Sequence, residues 1–349
     1  MKAVIISLCI GFVGGVLGAA LFITFFPIYS QQPQPLPITV ARAGATVEFQ
    51  TDQALESIIS FIQPNAKDRF SSSQDAIGAA VALTADGLMI SSTTVKNLSG
   101  LKGVAHDGSS FALTASFGKN VTPIMLADTG FALLKAANQK ESPRLKPATL
   151  SAFEDLKVGQ SVFSIDAKKQ IAWHHISALR LPASSKQPIS SEDPRGGFFI
   201  VTAAPQEGSF LFNAEGQLVG IAMKNGEVAP AEWIATAVRQ FLKEGSFRPV
   251  TLGIYFLDVN HLIALAPSTD STGLLIEGDK IHRAISPGFP AFKAGLRAGD
   301  RITAFDGRRL DGTVPFSLLL GRYSPGTEVE VVFMREGKEE KVNVVLGTK

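Results

Sequence analysis

One cysteine and five histidines carry the most reactive side-chain chemistry open to this chain of 349 residues. Cys9 stands alone, which excludes an internal disulfide and a thiolate metal cluster. His106, His174, His175, His261 and His282 form no H-x-x-x-H pair and show no metal-ligand spacing. Neither a metal nor another cofactor is therefore expected. His106 and Asp107 are neighbours in sequence, but adjacent side chains on a strand point to opposite faces and do not make an acid–base pair. Formal charge is only +2, from 33 basic and 31 acidic residues, so no basic field for nucleic acid is present. Hydrophobic residues make up 45% of the chain, too much apolar surface for a disordered one.

Those residues must be positioned by elements that the pattern makes legible. Residues 3–26 carry no charge and follow Lys2; as a helix of about 36 Å they would cross a hydrocarbon core of about 30 Å. The run is longer than a cleaved leader needs, so it reads as an uncleaved transmembrane anchor with its N-terminus in the cytoplasm. Cys9 falls within it, and a disulfide-free body outside the cytoplasm suits a bacterial periplasm or exterior. The chain divides into an anchor over 1–28, a Pro- and Gln-rich linker over 29–50, a first unit over 51–246 and a second over 247–349. In the first unit, Asp52 is placed to cap a short helix that buries Ala54, Leu55, Ile58, Ile59 and Ile62 and stops at Pro64. From about 76 to 223, short apolar runs alternate with hairpin signals at Asp86-Gly87, Asp107-Gly108 and Glu215-Gly216, the mark of an antiparallel barrel or sandwich. Trp233, Ile234, Ala237, Val238, Phe241 and Leu242 repeat at helical spacing up to Gly245. The last 100 or so residues mix strands with two short helical stretches.

That last unit contains Thr251-Leu252-Gly253-Ile254, then Ser286-Pro-Gly288, Ala291, Ala294-Gly-Leu296, Ala298-Gly-Asp-Arg-Ile302 and Asp306-Gly307. It resembles the PDZ domain attached to bacterial HtrA (Deg) serine proteases. The resemblance implies an α+β domain that adds an extended peptide to its sheet edge and captures the C-terminal carboxylate on loop amides. The loop falls on Leu252, Gly253 and Ile254, with Thr251 where the family has an aromatic residue. Ile254 and Phe256 would line the groove from the strand, and Phe316, Leu319 and Leu320 from the later helix.

The first unit is similar to the trypsin-like domain of the same family, an all-β double barrel. At the family's catalytic histidine stands Thr94, and at its aspartate Gly130. The motif around the nucleophile has become Ala203-Ala-Pro-Gln-Glu-Gly-Ser-Phe-Leu-Phe212, followed by an intact Asn213, Gly216, Leu218, Val219, Gly220, Ile221. Ser209 matches the nucleophile if residues are missing around it; an ungapped alignment puts Glu207 there. A threonine hydroxyl is no base near pH 7, and Gly130 orients nothing. By resemblance, then, the chain is a membrane-anchored, catalytically inactive HtrA-like protein that binds C-terminal peptides or unfolded proteins in envelope quality control. The family also suggests a homo-trimer or association with an active relative. Two alternatives stay open: an active serine endopeptidase using Ser209 with an unconventional base, and a non-binding scaffold whose groove is plugged by its own side chains.

Overall fold

The computed structural model describes residues 49–64, 71–92, 100–114, 124–125, 131–137, 144–179, 187–244, 248–262 and 272–348. The anchor over 3–26, most of the linker, Thr94, Gly130 and Gly245 lie outside the described residues. Among the described residues no helix is long and apolar enough to cross a membrane.

The first sheet comprises β1 (Ile58–Ile62), β2 (Gly78–Ala82), β3 (Leu88–Ser92), β4 (Lys102–Val104), β5 (Ser110–Thr114), β6 (Ile124–Met125) and β7 (Phe131–Ala136). Strands run in the order β3-β2-β1-β4-β5-β7, and β7 pairs back onto β3 to close a six-stranded barrel, with β6 against β7. Asp86-Gly87 joins β2 to β3, and Asp107-Gly108 joins β4 to β5, as the turn signals predict. The opening helix differs from its sequence reading. Helix α1 is only Thr51–Glu56; its N-cap is Gln50 without a side-chain cap, and Asp52 sits in the first turn. Ser57 ends it by donating its hydroxyl to Ala54 O at 2.7 Å. Ile58, Ile59 and Ile62 then form β1, buried at every position, where β-branched side chains fill both faces of the strand. Apolar spacing alone could not separate these two outcomes.

The second barrel contains β8 (Ser161–Ile165) and β9 (Ile171–Ala178). After a two-residue strand, β10 (Ile189–Ser190), that leaves this barrel, it continues with β11 (Phe199–Val201), β12 (Phe210–Phe212), β13 (Leu218–Ala222) and β14 (Glu227–Pro230). These close in the order β11-β14-β13-β12-β8-β9. Phe163 and Phe212 stack in its core with centroids 5.7 Å apart, and Phe49 packs edge-on to Phe163 at 5.9 Å. The amphipathic helix α2 (Ala231–Glu244) follows as predicted.

The third sheet is built from β16 (Tyr255–Asp258), β17 (Leu274–Ile276), β18 (Arg301–Phe305), β20 (Glu328–Arg335) and β21 (Lys338–Val345) in that order, with β19 (Arg308–Arg309) on β18. A separate ribbon pairs β15 (Val250–Thr251) with β22 (Gly347–Thr348). Two short helices, α3 (Pro290–Lys293) and α4 (Phe316–Gly321), complete the unit. Asp300 is buried in the turn before β18. It accepts from Arg335 Nε at 2.8 Å and Nη2 at 2.6 Å, and from the Arg297 amide at 2.7 Å. This fork pins the α3 turn to β20.

Candidate functional site

Ser209 lies in the turn entering β12. Its amide donates to Gln206 O at 3.0 Å, and its carbonyl accepts from Ala222 N at 2.8 Å. The residue is only 2% exposed, so its hydroxyl does not face an extended substrate. Glu207 is exposed instead. Acyl transfer also needs oxyanion donors, the amides of the nucleophile and of the residue two before it. For a group at position 207 the second donor would be Pro205, which has no N–H; for Ser209 its own amide is already spent on Gln206. The neighbouring histidines serve other partners. His174 is buried with Nε2 2.8 Å from Ser164 Oγ and Nδ1 2.9 Å from Thr202 O, and His175 Nδ1 lies 3.2 Å from Ser161 Oγ. His106 is exposed in the β4–β5 hairpin.

The loop after β15 carries denser chemistry. Gly253 has φ +81°, and a Cβ there would stand 2.3 Å from Phe289 Cβ, so only glycine fits. This conformation aims two successive amides at one point, and a carboxylate oxygen occupies it. Glu192 Oε1 accepts from Leu252 N at 3.0 Å, Gly253 N at 2.8 Å and the Thr251 hydroxyl at 2.6 Å. The Ser191 hydroxyl donates to the same oxygen and the Ser190 hydroxyl to Oε2, both at 2.6 Å. Burial pushes the Glu192 carboxyl upward, but the hydroxyls of Ser190, Ser191 and Thr251 and the Gly253 amide outweigh it, holding the group below the usual carboxylate range.

Glu192 belongs to the excursion between β9 and β11, not to the third sheet. There β10 adds itself antiparallel to the edge strand β16, with Ile189 opposite Phe256 and Ser190 opposite Tyr255. Ser191 extends the ladder by donating its amide to Ile254 O at 2.9 Å. Of the residues expected to line a groove, Ile254 and Phe256 flank the added strand, and Phe316, Leu319 and Leu320 belong to α4. Phe256 and Phe316 meet edge-to-face at 5.6 Å. All five are at most 3% exposed. Gly197, just past the added strand, packs so closely on α4 that a Cβ there would be 2.8 Å from Leu318 Cγ. Sequence reasoning named the loop, with Thr251 only as a departure from an aromatic residue, and missed Glu192 and Ser191. The local cue for the added strand was slight, the extended Pro188-Ile-Ser-Ser run.

A sequence profile of the PDZ domain matches residues 251–346. The chain is 28% identical over 235 residues to a probable periplasmic serine endoprotease, DegP-like, from Halomonas elongata, covering 63% of this chain and 46% of that one. It is 25% identical over 287 residues to the periplasmic serine endoprotease DegP of Escherichia coli, covering 78% and 57%. The matched stretch thus spans about half the length of these relatives. Among solved structures, the HtrA-type protease AlgW with tripeptide superposes at a TM-score of 0.55 and 18% identity, over 86% of this chain and 97% of that one. AlgW with decapeptide gives a TM-score of 0.53 at 17% identity, over 86% and 97%. At such identity the likeness is one of fold.

Proposed function

We propose that this chain, a homologue of the HtrA/DegP-like serine proteases with a trypsin-like double barrel and a C-terminal PDZ domain, works by binding rather than by cutting. Its ligands are C-terminal peptides or unfolded chains presenting a free carboxylate, and its place is the bacterial periplasm, held at the membrane by residues 3–26. One observation carries the binding half: the Thr251–Gly253 loop holds a carboxylate on two amides and a hydroxyl. Support for inactivity comes from Thr94 and Gly130 at the histidine and aspartate positions, the burial of Ser209, and the missing amide at Pro205.

Cleavage of an unfolded protein by the purified chain, beside Ser209→Ala, tests the second half. The expected result is no cleavage by either. Turnover that Ser209→Ala abolishes would return the chain to the endopeptidases. For the first half, a peptide with a free carboxylate should bind and its C-terminal amide should not, and Gly253→Trp should remove binding.

A further inference from the structure

We propose that Ile189–Glu192 is an internal ligand of this chain's own PDZ groove, and that an external C-terminal carboxylate binds by displacing Glu192. The inference rests on the binding reading above and adds its regulation. The segment reproduces both halves of peptide recognition by strand addition. Its backbone forms the edge strand on β16, running toward the carboxylate loop. Its last side chain then delivers a carboxylate where the peptide's terminus would sit, so the Leu252 and Gly253 amides are already engaged. The internal strand covers β16 at Tyr255 and Phe256, and Ile254, Phe256 and the α4 side chains beside it are shielded from water.

The fit is incomplete in a way that favours exchange. A C-terminal peptide brings a carboxylate and a terminal side chain together. Glu192 brings only the carboxylate, because the chain runs on to Asp193. Beside it remains a small cleft lined by Ser191, Trp233, Gln240, Ser317 and Gly321. Among the described residues, the buried Ser317 hydroxyl has no hydrogen-bond partner. An incoming terminal side chain has room there that the internal segment leaves unused. Tethering works in the other direction, since a linked ligand acts at an effective concentration on the order of millimolar. The apparent affinity of an external peptide falls by the fraction of molecules with the groove open.

The probe is a fluorescein-labelled peptide Lys-Gln-Pro-Ile-Ser-Ser-Val, which copies residues 186–191 and ends in a free aliphatic carboxylate. Glu192→Gln keeps the side-chain volume and removes the charge. It should bind the probe about tenfold or more tightly than the wild type, the worth of at least one charge-assisted hydrogen bond. Without peptide, the Leu252 and Gly253 amides should exchange with solvent faster in this variant. Ser191→Pro, which deletes the donor to Ile254 O and the hydroxyl on Glu192 but leaves the Leu252–Ile254 loop, β16 and α4 untouched, should act in the same direction and covers a Glu192 variant that folds poorly. Unchanged exchange in both variants, or equal probe affinity in wild type and variants, overturns the proposal. Faster exchange with no probe bound by any of the proteins keeps the internal ligand and overturns the peptide-binding reading instead.

Discussion

Thr251 stands where the resemblance puts an aromatic residue, and its hydroxyl adds a third donor to the carboxylate seat. The substitution therefore changes the seat's chemistry from amides alone to amides plus a hydroxyl. In a Glu192→Gln background, where only the external ligand needs the seat, Thr251→Val should weaken binding of a free-carboxylate peptide about tenfold, as loss of one hydrogen bond to a charged group implies. In the wild type the same change loosens internal and external carboxylates alike, so the measured affinity should move less. Acidity acts on Glu192 with a definite sign. Its folded-state value is depressed, so its contribution is complete above the unfolded value of about 4.3 and is lost as pH falls through the lower folded one. Nearby, Asp279 is lowered to about 2 by its hydrogen bonds from His282 and so stays charged through that window. Protection of the Leu252 and Gly253 amides should hold at pH 5 and fade only below the ordinary glutamate range; fading already at pH 6 would assign the switch to another group. Leu252, Gly253, Ile254 and Phe256 were legible because each has a local reason to be what it is. Glu192 was not, because about 60 residues separate it from the amides it meets and no pattern spans that gap.

At the scale of elements, hairpins were readable wherever Asp-Gly or Glu-Gly fixed the turn, and α2 wherever apolar spacing ran long enough. Ile58–Ile62 was not, since three isoleucines satisfy a helix face and a doubly buried strand equally well over five residues. Pairing with β2 and β4 decided it. The Ala298-Gly-Asp300 signature is legible as a turn, but its energetic centre is a partner far along the chain, Arg335 on β20. Asp300 is 1% exposed, whereas the Arg335 side chain is 21% exposed. Removing the carboxylate alone leaves a guanidinium facing Gly295 O and a partly closed pocket. Asp300→Ala should lower the thermal midpoint by roughly 4–10 °C, and the double variant Asp300→Leu with Arg335→Met by less, because replacing both partners strands no charge. A larger loss in the double variant would mean that the pair contributes more than it costs to bury.

At the scale of the whole molecule, the expected boundary at 246–247 lies outside the described residues, and one strand from before it, β10, pairs with β16 after it. Beside the apolar packing of α4 on Gly197 and α2, two kinds of polar contact tie the second barrel to the PDZ unit. One is an ion network: Arg322 reaches Glu232 at 2.7 Å and Glu154 at 3.0 Å, and Arg308 reaches Glu154 at 2.9 Å. Arg308, Glu154 and Arg322 are 38%, 42% and 31% exposed and only Glu232, at 16%, is largely covered, so each pair is worth under about 1 kcal/mol and weakens with salt. The other is β10 with Glu192, which joins the two units by a backbone ladder and a largely buried carboxylate. The second should dominate. Calorimetry of the wild type and of Arg322→Ala should then show barrel and PDZ melting in one transition, even at high salt. Ser191→Pro or Glu192→Gln should split off an earlier PDZ transition, which a free-carboxylate peptide raises by mass action without restoring the single peak. If Arg322→Ala splits the transition and Glu192→Gln does not, the coupling runs through α2 and α4, and the added strand is a passenger on an interface that other contacts hold.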